Sequence, residues 1–349
     1  MVVSIIISNY NYSSYLAQAI DSALNQTNPV EVIVIDDGST DNSKDIITSY
    51  GDRIRSVLKQ NEGQYSCFNL GWKLAKGEMI MFLDSDDVLL PDAAKKCAER
   101  LKEPGVIKAQ FLLKKVDKYL QPIGGTAPAY GLGDEANIKR DIALWGYYLS
   151  PPNSGNAYTK DFLDKIMPMQ RLTFGGQSYY YLPADDYAKS LAGLAGRIVN
   201  INEVLGLYRF HGENESDSGK VETLKKLRIL FMYDYIRERH QMEWAPKFGV
   251  PCKFDFSRFH PTVCKKRFLA YRLQPEDHPI PEDNYFRLLF SGLWGAVRFP
   301  YLKLNKRIFI ICGFIAIGVL PRPMLRKMLG AVAKPEERKG VLRLFRFGT

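Results

Sequence analysis

The sequence predicts an α/β fold in which helices flank a mostly parallel sheet, followed by a mainly helical C-terminal region. In the first hundred residues, continuous apolar runs of strand length alternate with segments of helical periodicity. Fully apolar strands are typical of parallel sheets, which helices cover on both faces. Beyond the charged stretch at residues 216–226 the remaining periodic segments have helical spacing, which predicts a helical C-terminal region.

The first two strand–helix units occupy residues 2–50. A β-branched run at residues 2–7 predicts a buried strand, and apolar residues from Leu16 to Leu24 then recur at helical spacing. A second apolar strand, at 32–35, ends in Asp36-Asp37-Gly38. The polar residues 39–43 that follow can cap a helix extending to about residue 50.

The next two strands follow the same plan. Residues 54–58 predict a third strand, 66–76 a helix, and 79–83 a fourth apolar strand that stops at Asp84-Ser85-Asp86-Asp87. In open α/β sheets, ligands bind at the carboxyl ends of the strands. Two acidic clusters at such ends therefore predict a ligand site there.

The pattern weakens after about residue 105, where we expect mixed sheet and loops. A short helix is predicted at 186–194, a strand at 197–201 and an extended segment at 208–211. The charged stretch 216–226 is the predicted boundary between a first domain, residues 1–218, and a helical, basic region, residues 219–349. Within that region the clearest helix is predicted at 225–239.

Most of the net charge of +10 is at the C-terminal end, because residues 301–349 hold eleven Lys and Arg against two Glu. This end is also rich in Leu, Ile and Phe, a combination that suits an anionic membrane surface at least as well as nucleic acid, although a solvated charged tail is the simpler alternative. Residues 308–320 are uncharged but shorter than the roughly 20 residues needed to cross a bilayer. They predict either a buried helix or a segment that dips into one leaflet.

The five cysteines form no CxxC pair, and their odd number does not suggest a disulfide framework. A reducing cytosol is the simplest compartment for such a chain. With the basic C-terminal end, this predicts a cytoplasmic protein, peripheral on the inner face of the cell membrane.

The cluster Asp84, Asp86 and Asp87 predicts a cation site. Carboxylates this close in sequence repel one another unless a cation compensates them. Mg²⁺ or Mn²⁺ would do so, because these ions prefer oxygen ligands and share their remaining positions with phosphates. For Asp37 and the residues after it, a turn and helix cap is the structural alternative.

These motifs resemble glycosyltransferase family 2. The resemblance is carried by Ser8-Asn9-Tyr10-Asn11 within residues 5–11, by residues 22–27, by Asp36-Asp37-Gly38-Ser39 within residues 32–41, and by Asp84-Ser85-Asp86-Asp87 within residues 77–87. It is dense over residues 1–105 and continues in islands over 150–218. It implies a GT-A type fold with a Rossmann-like sheet, and a catalytic domain over residues 1–218.

The resemblance also implies roles for individual residues. Its donor is a nucleotide sugar such as a UDP-sugar, and Asp86 binds the divalent metal that bridges the two phosphates. The implied donor-binding residues are Ser8, Tyr10 (packing on the base), Asp36 and Asp37 (hydrogen-bonding the base), Asp84 (near the ribose or sugar) and Arg209 (neutralising phosphate), with His211 as a second metal ligand.

The acceptor hydroxyl loses its proton as it attacks, which requires a general base opposite the leaving group. Asp185-Asp186 resembles the Glu-Asp pair of the family, which implies Asp186 as the base and Asp185 on the acceptor side. The alternative for Asp185 is that it caps the helix that starts there. Attack from that side implies inversion at the anomeric carbon. Asn153 and Asn156 belong to a segment that lines the acceptor side in some members, or simply to a loop leading into a strand.

One departure concerns the helix after the third strand, where the family commonly has Arg before Asn and this chain has Phe68-Asn69.

The activity that the resemblance implies is a metal-dependent, inverting transfer to a glycan or lipid-linked acceptor. The alternative is a non-catalytic nucleotide-sugar or carbohydrate-binding protein on the same fold, for which a base at Asp186 has no use. A Rossmann dehydrogenase is disfavoured because no G-x-G-x-x-G follows the first strand.

Overall fold

A computed structural model describes residues 1–129, 131–174, 177–211, 224–250, 260–299 and 302–332. The strands are β1 (Val3–Asn9), β2 (Val30–Asp36), β3 (Arg55–Leu58), β4 (Met79–Asp84), β5 (Val88–Leu89), β6 (Val106–Asp117), β7 (Pro122–Ala127), β8 (Asn156–Thr159), β9 (Thr173–Phe174), β10 (Gln177–Tyr181) and β11 (Arg197–Phe210). The helices are α1 (Ser13–Leu24), α2 (Ser43–Ser49), α3 (Gln64–Leu74), α4 (Ala93–Arg100), α5 (Ile138–Trp145), α6 (Lys160–Ile166), α7 (Ala184–Ala195), α8 (Leu224–Trp244), α9 (Pro261–Leu273), α10 (Tyr285–Arg298), α11 (Leu304–Val319) and α12 (Arg322–Val332).

The main sheet has the strand order β3-β2-β1-β4-β8-β6-β11-β5, with β7 paired to β6. Strands β1 to β4 pair in parallel, as do β6 and β11, whereas β8 runs antiparallel between β4 and β6. Strands β9 and β10 form a separate antiparallel pair. The predicted α/β class, with a mostly parallel sheet flanked by helices, is confirmed.

Side chains of the central strands alternate between two cores. On β1, Ile5 and Ile7 join a core with the apolar face of α1, while Ile6 faces the other side of the sheet. That second core contains Phe68 of α3 and Phe82 of β4, whose rings stack with centroids 4.3 Å apart. Phe68 therefore has a packing role at the position where the family commonly has Arg.

The C-terminal helices pack into the same second core. Phe231 of α8, Phe268 of α9 and Phe314 of α11 are fully buried and belong to the cluster that contains Phe82. The predicted boundary at residues 218 and 219 lies outside the described residues and stays a prediction. The helical character predicted for the C-terminal region is confirmed.

Helix α11 is a partly buried helix over most of residues 308–320, and the alternative that it dips into one leaflet stays a prediction. It buries Ile310, Phe314 and Ile317, but the opposite side of the helix is apolar and exposed. Within the described residues, no helix is both long enough and apolar enough to span a bilayer.

Strand β11 is continuous where the sequence predicts two pieces. Its pairing with β6 shifts register between Ile201 and Val204, and the intervening Asn202 and Glu203 are exposed. These two polar residues interrupt the apolar pattern without ending the strand, as a bulge does. The long strand carries Arg209 towards the acidic cluster after β4.

Candidate active site

Three neighbouring strands end at one edge of the sheet. Strand β1 lies between β2 and β4, with Asn9 in register with Asp36 and Ser8 in register with Asp84. Because the strands are parallel, their carboxyl ends meet at this edge. Ser8 and the two acidic clusters therefore lie at the same side of the molecule.

Asp84 and Asp87 are held by the loop that precedes β8. Asn153 Nδ2 donates to Asp84 Oδ1 (2.8 Å), and Ser154 Oγ donates to Asp87 Oδ2 (2.6 Å). Burial, and then the charge of Asp86, raise the pKa of Asp84 to about 8, and the same two causes raise that of Asp87 well above its usual value. The cluster thus concentrates more negative charge than its surroundings compensate.

Asp86 is paired with a histidine from the end of β11. His211 Nε2 lies 3.0 Å from Asp86 Oδ2, and the imidazole packs near the rings of Tyr12 and Tyr15, with centroids 5.6 and 4.9 Å away. Its side chain is almost completely buried. A carboxylate oxygen and an imidazole nitrogen brought together in this way form a donor pair that suits a divalent metal such as Mn²⁺.

No group of three or more His, Cys, Asp or Glu side chains in the described residues is arranged to hold a metal. Asp86 and His211 can thus contribute two ligands, and other positions would have to be filled from outside the protein. Divalent-metal sites that bind nucleotides often take few ligands from the protein and fill the remaining positions with substrate phosphates. The residues present therefore fit a metal that is shared with a bound diphosphate.

Arg209 is buried beside the cluster. Its Nε donates to the carbonyl of Asp86 (2.6 Å), one terminal nitrogen donates to the carbonyl of Lys118 (2.8 Å), and the other donates to Gln18 Oε1 (2.6 Å). Its backbone N–H donates to Asp87 Oδ1 (3.0 Å). Arg209 therefore fixes the turn that carries Asp86 and Asp87, and a phosphate contact would require its guanidinium to exchange partners.

Asp36 and Asp37 organise the turn after β2. Asp36 accepts hydrogen bonds from Asn9 Nδ2 (2.8 Å) and from the hydroxyl and N–H of Ser39 (2.5 and 2.9 Å). Asp37 accepts from Lys59 Nζ (2.6 Å) and from the N–H groups of Glu62 and Gly63 (3.0 and 2.8 Å). The turn alternative thus holds for Asp37, and Asp36 also has a structural role in the turn. The contacts of both residues to a nucleotide base stay predictions.

Tyr10 lies beside this turn, at the end of β1. Its ring is 47% exposed. The next residue, Asn11, has a positive φ of 58° and accepts a hydrogen bond from the N–H of Thr40 (2.8 Å), which ties the two loops together. The exposed ring is in a position where a planar base could pack against it.

The carboxylates of Asp185 and Asp186 lie in the first turn of α7. Lys189, one turn later, is 2.6 Å from Asp185 Oδ2 and 3.0 Å from Asp186 Oδ1. Burial favours the protonated form of Asp186, but Lys189 and then Arg237 outweigh it and lower the pKa of Asp186. Asp186 is therefore ionised at neutral pH, as a general base must be.

The loop that precedes β8 connects α7 with the acidic cluster. Tyr148 OH donates to the carbonyl of Lys189 (2.9 Å), and Asn153, five residues later, holds Asp84. The charges of Asp185 and Lys189 also act on the pKa of Asp84, after burial and Asp86. The structure thus brings the start of α7 close to the acidic cluster.

Asn156 has a structural position in this loop. It is fully buried, and its Nδ2 donates to the carbonyls of Pro152 (2.7 Å) and Asn153 (3.0 Å). The loop alternative accounts for these contacts, so the acceptor-side role of Asn156 stays a prediction. Asn153 differs, because its amide reaches Asp84.

Three residues at the site were not predicted from the sequence. Lys189 could have been found, since it is three and four residues after the two carboxylates on a predicted helix. Ser154 carried no such signal. Lys108 carried no such signal either. Its buried Nζ donates to Gln110 Oε1 (2.8 Å), Tyr148 OH and Ser150 Oγ (both 2.9 Å), and these bonds stabilise the loop that precedes β8.

A cavity of about 690 Å³ lies elsewhere, between the start of β11 and the start of α5. None of the predicted site residues lines it. Its carboxylate Glu135 is 3.1 Å from Arg100 and 3.9 Å from Arg197. We therefore place the candidate active site at the strand ends and not in this cavity.

The chain is similar to known glycosyltransferases. The model of "Glycosyl transferase family 2" matches residues 4–140, which include β1, β2 and β4. An uncharacterized glycosyltransferase of Nostoc sp. is 33% identical over 271 residues, which are 74% of this chain and 80% of that protein. The chondroitin synthase of Pasteurella multocida is 46% identical over 100 residues, 28% of this chain but only 10% of the synthase.

Among solved structures, S. aureus TarS 1–349 in complex with UDP-GlcNAc superposes with a TM-score of 0.50. It is 17% identical, and the match covers 95% of this chain and 90% of that one. At this identity the likeness shows a shared fold. The family assignment rests on the strand-end motifs and on the long match to the Nostoc protein, and by these the chain belongs to glycosyltransferase family 2.

Proposed function

We propose that this protein transfers a sugar from a nucleotide-sugar donor to a hydroxyl acceptor, with inversion at the anomeric carbon. One observation carries the proposal: the loop before β8 joins α7, the helix that carries the ionised carboxylate Asp186, to a separate acidic cluster at the strand ends. An inverting transfer needs both, a base for the acceptor and a site for the leaving diphosphate. A protein that only binds nucleotide sugars needs no such base.

On the donor side, we propose that Asp86 and His211 hold a divalent metal, Mn²⁺ or Mg²⁺. Bound there, the metal would supply positive charge to the diphosphate as the glycosidic bond breaks. Asp84 and Asp87, held by Asn153, Ser154 and the Arg209 N–H, keep the turn in place. Tyr10 contributes an exposed ring for the base of the nucleotide.

On the acceptor side, Asp186 takes the proton of the attacking hydroxyl. Lys189 keeps this carboxylate ionised and holds it together with Asp185. A glycan acceptor is supported by the similarity to a chondroitin synthase, and a lipid-linked acceptor by the basic C-terminal region. The same region supports a position at the inner face of a membrane. UDP-GlcNAc, which is bound in the TarS structure, is the donor to test first.

The reaction is tested with Asp186→Asn. Removing the base is expected to lower the rate of UDP release from UDP-GlcNAc or UDP-glucose by about a hundredfold, while UDP affinity changes little. UDP release is measured with a coupled assay in Mn²⁺ and in EDTA, and UDP binding by calorimetry. Release is expected to be lost in EDTA.

The matched control is Asp161→Asn, the same isosteric change at an exposed carboxylate in the first turn of α6. It is expected to behave like the wild type. Unchanged turnover in Asp186→Asn would remove this residue from the role of base, and full activity in EDTA would contradict the metal assignment. If the wild type binds UDP but releases none from any donor tried, the result would favour a protein that only binds nucleotide sugars.

A further inference from the structure

Helix α10 exposes a row of large apolar side chains. Phe286, Phe290, Trp294 and Val297 are spaced four, four and three residues apart and so lie on one face of the helix. Between 46% and 65% of each is exposed. Solvent-facing positions of a helix are normally polar. A face this apolar is not typical of a helix that contacts only water.

Helix α11 exposes a second row. Leu304, Ile308, Cys312, Ile315 and Val319 recur at spacings of four, four, three and four residues, and Val319 is 75% exposed. The opposite face of the helix is packed in the core. The exposed row therefore adds apolar surface that the fold does not need for its own stability.

The two helices are packed against each other. Gly292 of α10 faces Phe314 of α11 so closely that an added Cβ would lie 2.0 Å from the ring. Arg307 of α11 donates to the carbonyls of Ala296, Val297 and Phe299 and so ties the start of α11 to the end of α10. The rows are thus carried by one rigid pair of helices.

The charged side chains of the segment that carries both rows all have one sign. Residues 285–332 contain no Asp or Glu. They contain eight basic residues: Arg287, Arg298, Lys303, Lys306, Arg307, Arg322, Arg326 and Lys327. The surface is complementary to an anionic one.

We propose that the α10 and α11 rows dock on an anionic lipid bilayer, with the aromatic side chains of α10 inserted among the headgroups. Phe and Trp beside Lys and Arg are typical of segments that lie in this interface. A second copy of the chain is a poorer occupant, because pairing the same surface brings the same positive charges together. The inference extends the predicted membrane-facing region from residues 301–349 back to α10 and does not depend on the proposed reaction.

The test uses the full chain and sedimentation with vesicles of phosphatidylcholine, either alone or with about 30% phosphatidylglycerol. Wild type is expected to sediment with the anionic vesicles and to be released by salt. Phe290→Ser/Trp294→Ser is expected to bind them at least about tenfold more weakly. Arg298→Gln/Lys303→Gln is expected to weaken binding to the anionic vesicles and to leave binding to neutral ones unchanged.

The matched control is Tyr119→Ser/Ile123→Ser, which removes two exposed apolar side chains near the turn between β6 and β7. It is expected to bind like the wild type. Thermal melts and UDP release in solution are expected to be the same for all variants, which separates a failure of docking from a failure of the reaction.

Three results would overturn the proposal. The first is that the wild type remains in the supernatant when mixed with anionic vesicles. Equal binding by the α10 variant and the Tyr119/Ile123 control is the second. The third is light scattering that shows a wild-type dimer dissociated by Phe290→Ser/Trp294→Ser, which would assign the rows to a second copy.

Discussion

At the scale of single residues, Lys189 is the side chain that decides the charge of the proposed base. Asp186 is partly buried, and burial alone would favour its protonated form. The ammonium group 3.0 Å away reverses this preference, with help from Arg237 of α8. Lys189 thus sets the pH range in which the proposed base is ionised.

We therefore expect Lys189→Met to shift the pH dependence of the rate. In the wild type the lowered pKa keeps Asp186 ionised until the solution is acidic. In the variant less positive charge opposes the effect of burial, so the pKa of Asp186 rises. The acid limb of kcat for UDP release should therefore move to higher pH. The measurement is a pH profile of UDP release.

The control for this shift is Lys160→Met, which removes the same kind of group from a pair with Asp164 (2.7 Å) on α6. Its acid limb is expected to coincide with that of the wild type. An unshifted limb in Lys189→Met would mean that Lys189 only holds the helix. Rescue of the wild-type profile by Lys189→Arg is expected, because Arg restores the positive charge.

The site was only partly predictable at this scale. Asp36, Asp84 and Asp86 could be placed at one edge because they follow apolar runs that read as parallel strands. Their partners could not, because Asn153 and Ser154 reach Asp84 and Asp87 across 69 and 67 residues of sequence. Such contacts depend on how β8 inserts beside β4, which no local pattern predicts.

At the scale of elements, the turn after β2 and the segment 59–63 form one unit. The Asp37 carboxylate binds Lys59 and the N–H groups of Glu62 and Gly63. Gly38 has a φ of +77°, and an added Cβ would lie 2.8 Å from the backbone N of Asn61. Gly38 is thus required both by the backbone conformation and by the close approach of the two segments.

Gly38→Ala is expected to lower the free energy of unfolding by more than the roughly 1–2 kcal/mol cost of a left-handed conformation, because the backbone of residue 61 must also move. Gly51→Ala is the control: its φ is +52° and nothing lies within 4 Å of an added Cβ. It should show the conformational cost alone. Urea unfolding measures both, and equal losses would contradict the close approach.

Prediction of the elements succeeded where burial makes a strand continuously apolar, as in β1, β2 and β4. It was weaker for β11, because exposed Asn202 and Glu203 interrupt the pattern at a bulge. It did not separate β6, β7 and β8, although β6 and β7 form a hairpin; β8 pairs antiparallel with β4 and β6, which are distant in sequence. Their order is set by tertiary pairing, which local periodicity does not contain.

At the scale of the whole molecule, the sheet and the C-terminal helices share one core. Phe314 of α11 packs against Phe268 of α9, with ring centroids 6.1 Å apart, and both belong to the cluster that contains Phe82 of β4. The basic C-terminal region is therefore not only a tail, since part of it completes the core. We expect the two regions to unfold together.

Phe314→Ala tests this expectation. Loss of a fully buried Phe is expected to cost about 3–5 kcal/mol, and UDP binding and helical circular dichroism should be lost in one transition. Ile315→Ala, at the next and exposed position, should cost no more than about 0.5 kcal/mol. Helix loss in Phe314→Ala at a denaturant concentration where UDP still binds would indicate independent domains.

The row on α11 has a practical consequence, because one of its members is a thiol. Among the cysteines of the described residues, Cys67, Cys97 and Cys264 are buried and Cys312 is exposed. With Cys252 replaced by Ser, a maleimide dye would attach selectively at position 312. The natural sequence thus provides a place for a polarity-sensitive fluorophore, whose emission would change colour as that face leaves water.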